Sequence, residues 1–254
     1  MTDTTSRTRD PSPRTSTLDR PTLMRLAATE YERAASLLAG LEPGDWARPT
    51  DCPDWDVRAM AGHMLGMAEM AASIRETVRQ QRAAAKRGGV PIDALTAHQV
   101  ETRARLTPQQ VTERLLRVGP RAARARRRTP GIVRRQRMPG TETVGGRPES
   151  WTFGFLLDTI LTRDPWMHRI DIARATGRPL DLTDNHDGVL VADVVAEWAA
   201  RHGSPCRLHL TGPVGGEWTF GAGGPSLELD AVDFCRTLSE REPATGLLAT
   251  AVPF

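Results

Sequence analysis

WTFGFLLDTILTRDPWMHRIDIARAT, residues 151–176, steps its side chains by three and four residues and predicts one long helix, closed by Gly177 and followed by Pro179. Along its inward stripe, Leu157, Leu161, Asp164, His168, Asp171 and Ala175 follow at helical spacing, so three ionisable groups stand where the apolar stripe would otherwise continue. DVRAMAGHMLGMAEMAASIRETV, residues 56–78, repeats the pattern. Asp56 is a good N-cap, and Val57, Met60, Met64, Met67, Ala71, Ile74 and Val78 form the apolar stripe that His63 shares. This helix is expected to run on to Gly88 and Gly89.

Working outward, a helix is expected from Thr22, with Leu23, Leu26, Ala34, Leu37 and Leu41 on one face, broken at Pro43 and Gly44. Residues 45–55, crowded with Asp and Pro, read as a loop. Residues 92–118 read as two helical pieces, the second opened by a capping box, Thr107-Pro108-Gln109-Gln110. An Arg-rich link is expected over residues 119–149. After residue 180 the character changes. A short amphipathic helix over 187–202 precedes strand-like runs at 206–211, 217–220 and 226–229, separated by Gly-rich turns. Asp230 caps a last helix over 231–239, and the final LLATAVPF reads as a closing strand. The fold class is α+β: a four-helix bundle over residues 19–180, then a small α+β module over 181–254. Residues 1–18, polar and rich in Ser, Thr and Pro, are expected to be a disordered tail.

Composition narrows the function classes. The 254 residues are 39% hydrophobic and 26% charged, an ordinary globular balance. A net charge of +3 does not imply nucleic acid, although the pI is about 9.1. Three scattered cysteines exclude a thiolate metal cluster and argue against a disulfide scaffold. No apolar run approaches the ~18 residues of a membrane span, and the N-terminal residues lack the apolar core of a signal peptide. A reduced, cytoplasmic protein is expected, monomeric or homodimeric, with neither nucleic acid nor membrane as partner.

The chemistry sits on the two helices first quoted. A carboxylate and an imidazole four residues apart point the same way and can grip one cation. Burying Asp164 and His168 without partners would cost several kcal/mol. His63, Asp164 and His168 together would hold a divalent metal and leave positions open, with Asp171 orienting His168 or Arg169 behind them. Two other readings stand beside this one: an inward His satisfied by a core hydrogen bond, and Asp164 as the N-cap of a helix starting at Pro165.

GLEPGDWARPTDCPDWDVRAMAGHM, residues 40–64, followed by RDPWMHRIDIARATGRP, residues 163–179, resembles the maleylpyruvate isomerase family of mycothiol-dependent enzymes, within the wider DinB-like helical bundles. LELDAVDFCRTLSERE, residues 227–242, resembles the small sterol-carrier-like module of that family. The pairing of Trp55, separated from His63 by seven residues, with a late Asp-x-x-x-His carries the likeness, which extends from about residue 20 to the end. The resemblance implies a metal, usually taken as zinc, on His63, Asp164 and His168, with mycothiol as thiol cofactor. It also implies a small electrophilic or unsaturated substrate, converted by cis–trans isomerisation or S-transfer. The family commonly has Glu where this chain has Asp164. A family Leu-x-Gly-Arg reads Leu238-Ser239-Glu240-Arg241 here, which makes Arg241 the catalytic candidate; a solvated Arg at a helix end is the other reading.

Weaker signals remain. Cys52 has no His partner implied by the sequence and reads as a packed or exposed thiol. Residues 117–137 hold nine Arg and no acidic residue, yet without interleaved aromatics they read as a solvated linker. Trp55 and Trp166 flank the expected site and could wall it, with core packing as the default reading for both. Two further functional classes fit the same residues: a metal-dependent hydrolase or transferase acting through water, and a non-catalytic metal- or thiol-binding module.

Overall fold

The computed structural model describes residues 14–254; the part of the expected N-terminal tail before residue 14 lies outside them. Four long helices make the bundle: α1 (Arg20–Ala39), α2 (Val57–Ala72), α5 (Pro108–Arg128) and α8 (Leu161–Thr176). Each begins or ends where local chemistry dictates. The side chain of Asp19 accepts from Thr22 N at the start of α1, and Asp56 accepts from Ala59 N at the start of α2. Thr107 and Gln110 complete the expected capping box at α5, and Gly177 closes α8 in the left-handed conformation.

Between α2 and α5 the chain departs from the single helix expected over residues 56–88. Ser73 adopts an extended conformation and caps a separate helix, α3 (Ile74–Arg87), which α4 (Pro91–Arg103) follows. The apolar stripe does not continue inward across this break, for Ile74 is 85% exposed and Val78 41%. A hydroxyl that can accept from Glu76 N makes the break cheap, and α3 then folds back beside α2 and α4.

The Arg-rich segment is not a solvated linker. Helix α5 runs through Pro120 to Arg128, and a hairpin of β1 (Glu142–Val144) and β2 (Arg147–Glu149) follows the short α6 (Gly131–Arg134). Arg126, 1% exposed, explains the extension. The rod expected over 151–176 consists of α7 (Phe153–Phe155), a π-helical turn (Leu156–Ile160) and α8. The π-turn and Pro165 both disturb the carbonyl ladder, since proline has no N–H for the Leu161 carbonyl four residues back. Arg126 supplies the missing donors: Nε to the Leu157 carbonyl at 2.7 Å, Nη1 to the Leu161 carbonyl at 2.9 Å, and Nη2 to Thr162 Oγ1 at 2.6 Å. The helix therefore continues through Pro165, and Asp164 lies inside it rather than capping a new one.

Helix α8 faces two cores. One side meets α1, α2 and α5 through Ile172, packed with Ala34, Leu38, Met60, Leu65 and Leu115. The other side, Trp166, Met167 and Ile170, packs against α9 (Val189–His202), a small sheet and α10 (Ala231–Leu238). In that sheet β3 (Cys206–Thr211) lies centrally, antiparallel to β4 (Gly216–Phe220) and parallel to β5 (Ser226–Asp230). Strand β3 alternates as a one-sided strand should, with Cys206, Leu208 and Leu210 buried and Arg207 and His209 exposed. The buried Arg163 guanidinium binds Asp193 and Glu197, both at 2.6 Å, and fastens α8 to α9.

Two expectations at the ends of the chain are corrected. Residues 14–18 are not free: Ser16 and Thr17 hydrogen bond to Asp193, and Leu18 packs on the second core. The closing segment forms no strand. It makes a 3-10 turn (Gly246–Ala249) whose Leu247 carbonyl accepts from Trp198 Nε1, and Val252 N donates to the Leu238 carbonyl. Among the described residues, no helix is long and apolar enough to cross a membrane.

Candidate metal centre

His63 lies in the second turn of α2, its height set by the Asp56 cap. The preceding loop is pinned to the helix start. Arg48 O accepts from Val57 N, Thr50 N donates to the Trp55 carbonyl, and Asp54 takes a positive φ of 67° at the turn. The loop lays the Trp55 ring over both imidazoles, with centroids 5.0 Å from His63 and 6.0 Å from His168. Trp166 takes the core-packing reading instead of walling the site. It is fully buried in the second core, where its Nε1 donates to Asp187 at 2.9 Å.

The structure brings His63, Asp164 and His168 together. His168 Nε2 is 3.3 Å from Asp164 Oδ1, and His63 Nε2 is 3.8 Å from the same oxygen. The rings meet edge to face, with centroids 5.2 Å apart. Both imidazoles are buried, while the Asp164 side chain keeps 21% of its exposure and marks the open side. The other nitrogen of each ring is already engaged: His63 Nδ1 with Gln99 Oε1 at 2.8 Å, and His168 Nδ1 with Asp171 Oδ2 at 3.3 Å. Rings tied through Nδ1 present Nε2 lone pairs to one point, and such partners behind the ligands are a regular feature of metal-binding histidines.

The electrostatics agree. Burial works to raise the Asp164 carboxyl, but His168 and His63 outweigh it and hold it well below the usual carboxylate range. Burial works to lower His168, yet Asp164 and Asp171 push it well above the ordinary histidine value.

One ligand atom from each residue lies within 4.8 Å of the others. Two ligands ~2 Å from one tetrahedral metal stand about 3.3 Å apart, and the two imidazole-to-carboxylate spacings, 3.3 and 3.8 Å, are of that size. Two imidazole nitrogens and one carboxylate oxygen make a donor set that suits zinc or a neighbouring first-row metal. A second group, Cys52, His168 and Asp171, is equally compact. It fits a cation poorly, because Arg241 already lies on it.

Asp171 is fully buried, and Arg241 grips it from beyond the end of α10: Nε to Oδ1 at 2.8 Å and Nη2 to Oδ2 at 2.7 Å. Arg241 Nη2 also lies 3.8 Å from Cys52 Sγ. Arg241 thus reaches the site through Asp171, and Arg169, the other partner considered for Asp171, goes to Glu30 and Asp187 instead. The sequence implies no His partner for Cys52, yet its half-buried thiol sits beside Asp171 and His168. Gln99 went unnoticed in the sequence. The signal was present: Leu95, Gln99 and Arg103 are buried at intervals of four on α4, so a polar residue occupies the inward stripe there as His63 does on α2.

A family model described as the mycothiol maleylpyruvate isomerase N-terminal domain matches residues 27–173, more than half of the chain. The chain belongs to this family. The match includes His63, Asp164, His168 and Asp171 and ends before Arg241. Among solved structures, a crystal structure of the mycothiol-dependent maleylpyruvate isomerase superposes with a TM-score of 0.56 at 14% identity, covering 89% of this chain and 90% of that chain. A histidine-to-alanine mutant of that enzyme gives 0.55 at 13% identity with the same coverage. These likenesses show that the bundle and the C-terminal module share the fold of the mycothiol maleylpyruvate isomerase family. Comparison with curated proteins finds no match.

Proposed function

We propose that this chain is a cytoplasmic, mycothiol-dependent isomerase that takes a small cis-unsaturated acid of the maleylpyruvate kind. The observation that carries the reading is the convergence of His63 Nε2, His168 Nε2 and Asp164 Oδ1 on one point open to solvent on the Asp164 side. His63, Asp164 and His168 would hold a divalent metal, zinc by donor type. When bound, the metal supplies positive charge that lowers the pKa of a cofactor thiol and so provides a nucleophile at neutral pH.

The chain's own groups prepare that chemistry. Gln99 and Asp171 fix the two rings, and Trp55 covers them and excludes water from one flank. Arg241 neutralises Asp171 and holds it against His168, which makes it a positioning residue from the 181–254 module serving a site in the 19–180 bundle. The thiol adds across the cis double bond, the resulting single bond turns, and elimination returns the thiol with the trans product. If elimination fails, the same addition ends as an S-conjugate, which makes S-transfer a variant of one mechanism.

The test is a proton NMR time course with a cis-unsaturated keto-diacid, with and without mycothiol, in water enriched in heavy oxygen, with carboxylate label read by mass spectrometry after the exchangeable ketone oxygen is returned to ordinary water. Mycothiol-dependent appearance of the trans acid without heavy-oxygen incorporation supports the proposal. Thiol-independent turnover with label in the product would replace it with hydrolysis. No turnover with any thiol would leave a binding module.

A further inference from the structure

His63 can offer Nε2 to a cation only when its own proton sits on Nδ1, and nothing on α2 decides which nitrogen carries it. The Nδ1 partner is an amide, Gln99, which could turn either its oxygen or its nitrogen toward the ring. The decision is made two residues further back. Gln99 Nε2 donates to Gln80 Oε1 at 2.9 Å, and its remaining hydrogen faces Met67 Sδ at 3.1 Å. Gln80 Nε2 donates in turn to Glu76 Oε1 at 2.8 Å and to the Gly66 carbonyl at 3.2 Å.

The far end of this chain accepts hydrogen bonds and cannot donate them. Gly66 offers a backbone carbonyl. Hydrogen bonds from Arg79 hold the Glu76 carboxyl down to about 2, so it stays ionised at any working pH. Two fixed acceptors draw the Gln80 amide nitrogen toward themselves and turn its oxygen to Gln99. Gln99 must then present nitrogen to Gln80 and oxygen to His63. Reversing either amide sets oxygen against oxygen in a place where both side chains are fully buried, which is costly. The packing leaves little slack as well: a Cβ at Gly66 would stand 2.7 Å from Gln99 Cγ.

We propose that Gln99 and Gln80 are positioning residues that set the Nδ1-protonated tautomer of His63, with Glu76 and the Gly66 carbonyl as the fixed ends that orient them. The consequence for a cation rests on the metal reading above; the consequence for the tautomer does not. The break at Ser73 acquires a purpose in this scheme, because only a separate α3 folded back beside α2 brings Gln80 to Gly66 and Gln99.

The test uses the full-length, metal-free protein labelled with ¹⁵N-histidine, read by long-range proton–nitrogen correlation at mildly alkaline pH. Wild type is expected to show His63 protonated on Nδ1. Gln80→Leu leaves the ring's own partner in place but frees Gln99 to turn, so His63 is expected to show both tautomers while His168, held by Asp171, is unchanged. Zinc affinity is expected to fall about tenfold in that variant. Glu76→Gln, at the half-buried end of the chain, is expected to shift the tautomers the same way in a protein still folded by circular dichroism. Nε2 protonation in wild type would overturn the proposal. So would an unchanged tautomer in folded Gln80→Leu and Glu76→Gln. If the tautomers shift as expected but wild type binds no zinc, the positioning stands and the metal reading falls.

Discussion

Arg241→Ala separates two roles that the position of Arg241 allows. Its guanidinium gives Asp171 two charge-assisted hydrogen bonds, at 2.8 and 2.7 Å, and Asp171 has no exposure of its own. Removing one partner of a buried ion pair costs ~3–5 kcal/mol, because the other charge is left behind. The Arg241 side chain keeps 12% exposure, so water can enter the vacated space and the expected cost is at the lower end, ~3 kcal/mol. In a chain of this size that lowers the melting temperature by roughly 6–12 °C. Freed from its clamp, Asp171 holds His168 less firmly, and zinc affinity is expected to drop about tenfold. Urea unfolding of the metal-free protein and zinc titration measure the two effects, with Arg241→Lys intermediate because a point charge cannot grip both oxygens. Stability within ~0.5 kcal/mol of wild type, with unchanged zinc affinity, would refute the positioning role. Lost turnover alongside those two unchanged quantities would instead place Arg241 on the substrate.

Arg126→Leu should leave the Leu157 and Leu161 carbonyls without their donor and destabilise the protein by at least ~3 kcal/mol in urea unfolding; a near-neutral result would mean that the π-turn rearranges. Gly66→Ala should cost ~1–3 kcal/mol and also weaken zinc binding, since the new methyl displaces Gln99 from His63, and loss of stability alone would separate the two. Zinc affinity should rise with pH. His168 is raised above its unfolded value, so in the metal-free protein its protonated form contributes stability that is complete below ~6.5 and lost as pH climbs through the folded value. A metal must displace that proton, giving up to about tenfold tighter binding per pH unit across the same window. Calorimetric titration in buffers of different ionisation enthalpy counts the proton released, and pH-independent affinity would contradict the competition.

Much of the site was legible because its residues break a pattern. His63, Asp164 and His168 interrupt apolar stripes at helical spacing, and the α8 periodicity survives Pro165 in the structure. Strand β3 and the Asp230 cap were equally plain, since alternation and capping are local signals. The failures have a common cause in partners distant along the chain. The π-turn and the passage through Pro165 depend on Arg126, which local reading assigned to a solvated linker. The break at Ser73 competes with a good helical stripe and wins because α3 packs back on α2 and α4 rather than on the main core. Cys52 meets His168 and Asp171 only after the loop folds over the bundle. The polar chain through Gln80 and Gln99 links three helices, and no single window of sequence contains it.

The most direct test of the metal centre is metal content by mass spectrometry on protein purified without a nickel column, wild type beside Asp164→Ala and His168→Ala. Close to one metal per chain is expected in wild type, with loss from both variants, each still folded by circular dichroism. Metal retained in Asp164→Ala would remove that carboxylate from the site, and wild type without metal even after zinc is added would contradict the account at its centre.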